Sequence, residues 1–160
     1  MASIKISSNA TVVLNKIVTN LGKLKDPAFL RPVCIELIPM ITERIHERGM
    51  DADGRQIGTY SPAYLKYARK KAKRGPSPTV IVSLTRKLEN SWAAVPTKNG
   101  YGIGFIDAGG GAGSNGAISS KQKLLYVAAR KNANLTSLSK DETAFAIERI
   151  NELVHEAISS

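Results

Sequence analysis

The dipeptide Asn99-Gly100 constrains this chain more than any other pair of residues, because it dictates a tight reversal within the sequence. Both residue types tolerate the positive φ of a type I′ turn, whose twist matches that of paired strands. Residues 92–98 and 101–106 are therefore predicted to be antiparallel neighbours. On the second strand Tyr101, Ile103 and Phe105 share one face, with Gly102 and Gly104 on the other, where a backbone or helix could come close.

Helical patterns flank this hairpin. From Ser8 or Asn9, the spacing of Val13, Ile17, Val18 and Leu21 predicts a helix that Gly22 would stop. Asp26 and Pro27 suit the start of a second helix, with Leu30, Val33, Cys34, Leu37, Ile38, Ile41 and Ile45 on its apolar face. Gly49 closes it, and Glu36, Glu43, Arg44, Glu47 and Arg48 form its solvated side. Pro39 removes a backbone donor and should kink this helix near Ile35 or divide it. Ser139-Lys140-Asp141-Glu142 is a capping box. The helix it opens carries Ala146, Ile147, Ile150, Leu153, Val154, Ala157 and Ile158 on one face.

Between these elements, Met50 to Gly54 reads as a turn that only loosely resembles a calcium loop, with no glutamate at the required distance. Ser61-Pro62 could open a short helix, broken again by Gly75-Pro76-Ser77-Pro78. Val80 to Leu84 is rich in β-branched residues and predicts a strand, followed by a turn or a single helical turn over Arg86 to Ser91. Lys123 to Lys131 fits a strand or a short helix, and the glycine-rich residues 107–120 fit a flexible loop that orders on assembly. The expected fold is thus α+β: one domain over residues 1–160, a small antiparallel sheet, a long helix and a C-terminal helix.

Charge is distributed unevenly along this frame. Residues 54–100 hold 10 of the 23 Lys and Arg and one of the 13 Asp and Glu, so +9 of the net +10 lies there. The candidate interaction residues follow: Lys66, Arg69, Lys70, Lys71, Lys73 and Arg74, with Tyr60 and Tyr64 as anchors on an arm over residues 54–78. Basic side chains neutralise phosphates, and aromatic rings stack on unpaired bases. An acidic protein surface would attract the same arm.

No catalytic constellation is legible. His46 and His155 sit on amphipathic helices as ordinary surface or boundary residues, and neither belongs to a metal-spaced pair. The glycine-rich loop lacks the Lys-Ser/Thr ending of a phosphate cradle, and no Gly-x-Ser-x-Gly elbow occurs. A single cysteine, Cys34, excludes an internal disulfide and reads as a buried apolar residue. No apolar run is long enough to span a bilayer, and the first residues lack the apolar core of a secretion signal. The expectation is a non-enzyme made in the cytoplasm, without cofactor, metal, small-molecule substrate or membrane.

Three pieces resemble, in order, small proteins of tailed bacteriophages that act in tail completion, head–tail joining or virion morphogenesis. They are Gly54-Arg55-Gln56-Ile57-Gly58-Thr59-Tyr60-Ser61-Pro62-Ala63-Tyr64, Leu84-Thr85-Arg86-Lys87-Leu88-Glu89-Asn90-Ser91-Trp92 and Leu135-Thr136-Ser137-Leu138-Ser139-Lys140-Asp141-Glu142. The second is similar to the family's "Leu…Thr-Gly-x-Leu-x-x-Ser" signature, with Arg86 where glycine is common. The third is similar to its "Phe-x-Leu-(Ser/Thr)-x-x-Glu" entry to a final helix. The resemblance implies a structural virion subunit in a six- or twelve-fold ring, at the neck or the head-proximal end of the tail. It would sit between neighbouring neck, connector or tail-tube proteins, with possible contact to packaged DNA. The alternative is a small nucleic-acid-binding domain that uses residues 66–74.

Overall fold

The computed structural model describes residues 15–16, 18–20, 22–66, 78–82, 87–106 and 119–159. Its sheet is a hairpin over these residues, closed one residue earlier than expected: β1 (Trp92–Thr97) pairs antiparallel with β2 (Gly100–Phe105), Trp92 opposite Phe105 and Thr97 opposite Gly100, so that Lys98 and Asn99 form the turn. Gly100 takes φ +138, a value that its missing side chain permits. On the glycine face of β2 the turn Pro27–Leu30 comes close at Gly100, where a Cβ would stand 3.4 Å from the Pro27 oxygen. Val95 and Thr97 reach across from β1 and fill the space above Gly104 and Gly102.

Both strands lie against α1 (Arg31–Thr42), and α3 (Lys140–Ser159) packs on α1 as well. Asp26 opens this region as expected, its Oδ1 accepting from the Ala28 N–H at 2.8 Å above a 3₁₀ turn, Pro27–Leu30, that runs into α1. Pro39 does not divide the helix, which continues through it to Thr42. Gly22 is no stop either, since residues 22–23 remain helical.

The departure from α geometry comes later, in a π turn at Glu43–Glu47 that the Arg48 N–H closes on the Glu43 carbonyl at 2.9 Å. A π turn holds an extra residue, and such bulges shift the facing of everything around them. Here three consecutive side chains, Arg44, Ile45 and His46, point inward. Arg44, expected on the solvated side, is buried because it follows Ile41 by three residues on the same side of the helix, and the π turn makes His46 a core residue instead of a boundary one.

Ile45 is fully buried in a cluster with Ile41, Ile57, Val80, Leu88, Phe105, Leu124 and Leu135. Each such aliphatic side chain contributes about 1.5–3 kcal/mol by leaving water. Cys34 is buried as predicted, and burial pushes its thiol pKa up, away from reactivity.

Lys123 to Lys131 belongs to a helix, α2 (Ser120–Lys131). Ser119 and Gln122 form a reciprocal capping box at its start, and Asn132 ends it in the left-handed conformation at φ +50. The strand predicted for Val80 to Leu84 does not form over its described residues 80–82: the one bridge nearby pairs Thr59 with Thr79, just before it, and the backbone turns at Val82 with φ +42. Residues 83–84 lie outside the described residues.

A buried ion pair joins the two ends of this architecture. Arg44 Nε donates to Glu142 Oε1 at 2.7 Å and Arg44 Nη2 to Glu142 Oε2 at 3.1 Å. Glu142 also accepts the Ser139 N–H at 2.7 Å, while its own N–H donates to Ser139 Oγ at 3.2 Å. One carboxylate thus caps α3 and neutralises the buried cation. The surface pair Arg149–Glu36, at 3.0 Å, also links α3 to α1, but exposed pairs contribute only about 0–1 kcal/mol.

Candidate interaction surfaces

The arm begins and ends at a clasp. The Tyr60 N–H donates to the Pro78 carbonyl at 2.7 Å, and the Val80 N–H donates to the Gly58 carbonyl at 2.9 Å. Between Tyr60 and Pro78 the sequence carries six basic residues and no acidic one. Gly49, at φ +64, lets the returning strand come close: a Cβ there would stand 2.5 Å from the Val80 oxygen. Gly49 was legible as a helix end, but its contact with Val80 was not.

Of the predicted site residues, Tyr60, Tyr64 and Lys66 are described, whereas Arg69, Lys70, Lys71, Lys73 and Arg74 lie outside the described residues. Tyr60 stacks on Tyr64 with ring centroids 4.6 Å apart. Tyr60 also packs on the core, and its hydroxyl accepts the Ile81 N–H at 3.3 Å. It anchors the arm to its own domain. Ser61 caps the helical turn Pro62–Tyr64 through the Tyr64 N–H, and Lys66 is exposed just beyond.

Lys131 joins α2 to the root of the arm, its Nζ donating to the Thr59 carbonyl at 2.8 Å. Nothing in sequence spacing pointed to that pairing. Helix α2 carries Lys121, Lys123, Arg130 and Lys131 and no acidic residue, whereas α3 carries five acidic residues and two basic ones. The two helices have opposite net charge.

Each of these helices also exposes two large apolar side chains, while Val18, Ile35, Ile106 and Leu138 are exposed elsewhere. Leu125 on α2 is 45% exposed and Tyr126 63%, with the Tyr126 hydroxyl accepting from Arg130 at 2.9 Å. Leu125 also borders a trough of about 410 Å³ between α2 and the hairpin, lined by Trp92, Val95, Ile103 and Phe105 with Lys121 at its rim.

On α3 the predicted apolar face proves broader than α1 can cover. Ala146, Ile150, Leu153 and Ala157 are half-buried, but Ile147 is 57% exposed and Ile158 44%. Ala144, Ile147, Asn151, Val154 and Ile158 follow one another at alternating intervals of three and four, the spacing of a helix-packing seam.

Two titratable groups hold this frame. Asp51 Oδ1 accepts the N–H groups of Asp53 and Arg55 at 3.0 and 2.8 Å, so the acidic turn is spent on its own backbone. Burial alone would raise the Asp51 pKa, but these bonds, a further backbone bond from Asn134 and the Arg55 charge together hold it below the usual value. His46 Nε2 accepts from Trp92 Nε1 at 2.9 Å, which fixes the neutral ring with its proton on Nδ1. Burial lowers its pKa, outweighing the pull of Glu89 and of the backbone at Ile81 and Val82, with Arg44 adding to the decrease.

In the unfolded chain His46 would titrate near its ordinary value of about 6.5. Its contribution is complete above that value and is lost as pH falls toward the lower folded value, because the unfolded state binds the proton first. The unfolding midpoint should thus fall between pH 7 and 5, and His46→Gln should flatten that part of the profile. An unchanged slope in the variant would refute the assignment.

Compared with family models, with curated proteins and with solved structures, the chain gives no significant match.

Proposed function

We propose that this chain is a structural subunit of a tailed-bacteriophage virion, forming a ring at the neck or at the head-proximal end of the tail. The observation that carries this reading is the pair of exposed apolar surfaces on helices of opposite charge, Leu125 with Tyr126 on α2 and Ile147 with Ile158 on α3. Two different surfaces per subunit suit head-to-tail association, in which one patch meets the other on the next copy and a ring closes. The three motifs that resemble the phage family supply the location. The clasped arm would then face an acidic partner ring or DNA in the channel. On this reading no reaction is catalysed.

Light scattering at moderate salt tests the ring: the expected mass is six or more subunits without any nucleic acid. Changing Lys70, Lys71, Lys73 and Arg74 together to Glu tests the arm. The expected result is a folded subunit that no longer yields joined particles, read by electron microscopy and infectivity. Normal particles would remove the arm from the mechanism.

A second reading, a monomeric nucleic-acid-binding domain, is favoured by the six basic residues between Tyr60 and Pro78. It predicts a monomer whose affinity for short duplex DNA falls steeply with salt.

A further inference from the structure

We infer that the outward seam of α3 in one copy seats in the trough between α2 and the hairpin of the next copy. This rests on the ring reading and names the two surfaces that meet. The seam offers Ile147 and Ile158 as its most exposed apolar side chains, with Val154 half-buried between them. The trough offers Val95, Ile103 and Leu125 as an apolar floor and wall. An amphipathic helix laid into such a groove buries side chains at this three-and-four spacing.

Charge selects a second copy as the occupant. Lys121 stands at the rim of the trough, whereas Lys123, two residues on, faces the far side of α2. Glu148 is exposed on α3 and flanks its seam on the helix circumference, while Glu152 lies further round and pairs with Arg149 at 2.7 Å. Acidic α3 against basic α2 brings opposite charges together, whereas α2 on α2 or α3 on α3 would oppose like charges. The same rule makes the joint head-to-tail, so each copy keeps one free trough and one free seam until a ring closes.

The test is a mixing experiment with the full chain. Ile147→Glu with Ile158→Glu disables the seam, and Leu125→Glu disables the trough. All three positions are exposed, so circular dichroism should match that of the unchanged protein. Each variant alone should have the monomer mass by light scattering, the joint being weakened by roughly 30-fold or more, as for a hot-spot residue. Mixed in equal amounts, the variants should form a species of twice that mass and nothing larger, since only one intact joint remains.

Should Leu125→Glu disturb the fold, Leu125→Ser takes its place in the same mixture. A variant that keeps the mass of the unchanged protein would overturn the joint while leaving the ring intact, as expected if residues 107–118 cover the trough instead. A mixture that stays monomeric overturns the pairing of these two surfaces. An unchanged protein that is monomeric at every concentration overturns the ring reading itself.

Discussion

Replacing Glu142 with alanine should destabilise the fold by about 3–5 kcal/mol, the scale for leaving a buried charge without its partner. Arg44 is the charge in question, buried with its Nη1 already making no hydrogen bond. The change also opens the capping box at Ser139. Two comparisons separate these effects. Ser139→Ala removes the cap alone and should cost about 0.5–2 kcal/mol. Arg44→Leu combined with Glu142→Leu removes both charges and should cost less than Glu142→Ala, because no ion is stranded. Urea unfolding of the three variants measures the ordering; a double variant less stable than Glu142→Ala would contradict it.

Gly49→Ala should be nearly as damaging, at about 2–5 kcal/mol, by a different route. The left-handed backbone, φ +64, disfavours any Cβ by about 1–2 kcal/mol. The new methyl would also stand 2.5 Å from the Val80 oxygen and 2.8 Å from Thr79 Cγ2, so the strand that closes the clasp must move. Gly54→Ala is the matched control: its φ is +76, yet nothing lies within 4 Å of the added carbon. It should show the backbone cost alone. Hydrogen exchange at the Val80 and Tyr60 amides would report the loosened clasp, and equal stability losses in the two variants would refute the contact argument.

These two sites also mark where reading the sequence stops. Asn99-Gly100 and Ser139-Lys140-Asp141-Glu142 are local signals, so the hairpin and the cap were both legible, although the turn falls on Lys98-Asn99 and Gly100 already pairs with Thr97. Arg44 was not: it stands three residues after Ile41 and seven after Leu37, on the buried side of the helix, but its charge reads as solvated because its partner Glu142 is 98 positions away. The opposite failure occurs at Val80 to Leu84, where β propensity predicts a strand but the described residues 80–82 pair with none, the nearest bridge being Thr59 with Thr79. Propensity records what a segment suits, while pairing depends on what else arrives there. In the candidate surfaces, composition announced the basic arm. It did not announce that α3 has apolar residues beyond those α1 covers, since a hydrophobic face looks the same whether one neighbour or two will cover it. Tyr60 and Tyr64 were read as anchors toward a partner, and the structure ties Tyr60 to its own core.

The Arg44–Glu142 pair has a consequence for synthesis. The two residues are 98 positions apart, so at about 5–20 residues per second the ribosome completes Arg44 some 5–20 s before it reaches Glu142. Throughout that interval the π turn has no counter-ion to bury with its guanidinium, and the nascent chain must keep Arg44 in water. The interior around it therefore closes late, in one step with the docking of α3. A subunit lacking that helix would be held open, in a form that chaperones and proteases can distinguish from the finished one.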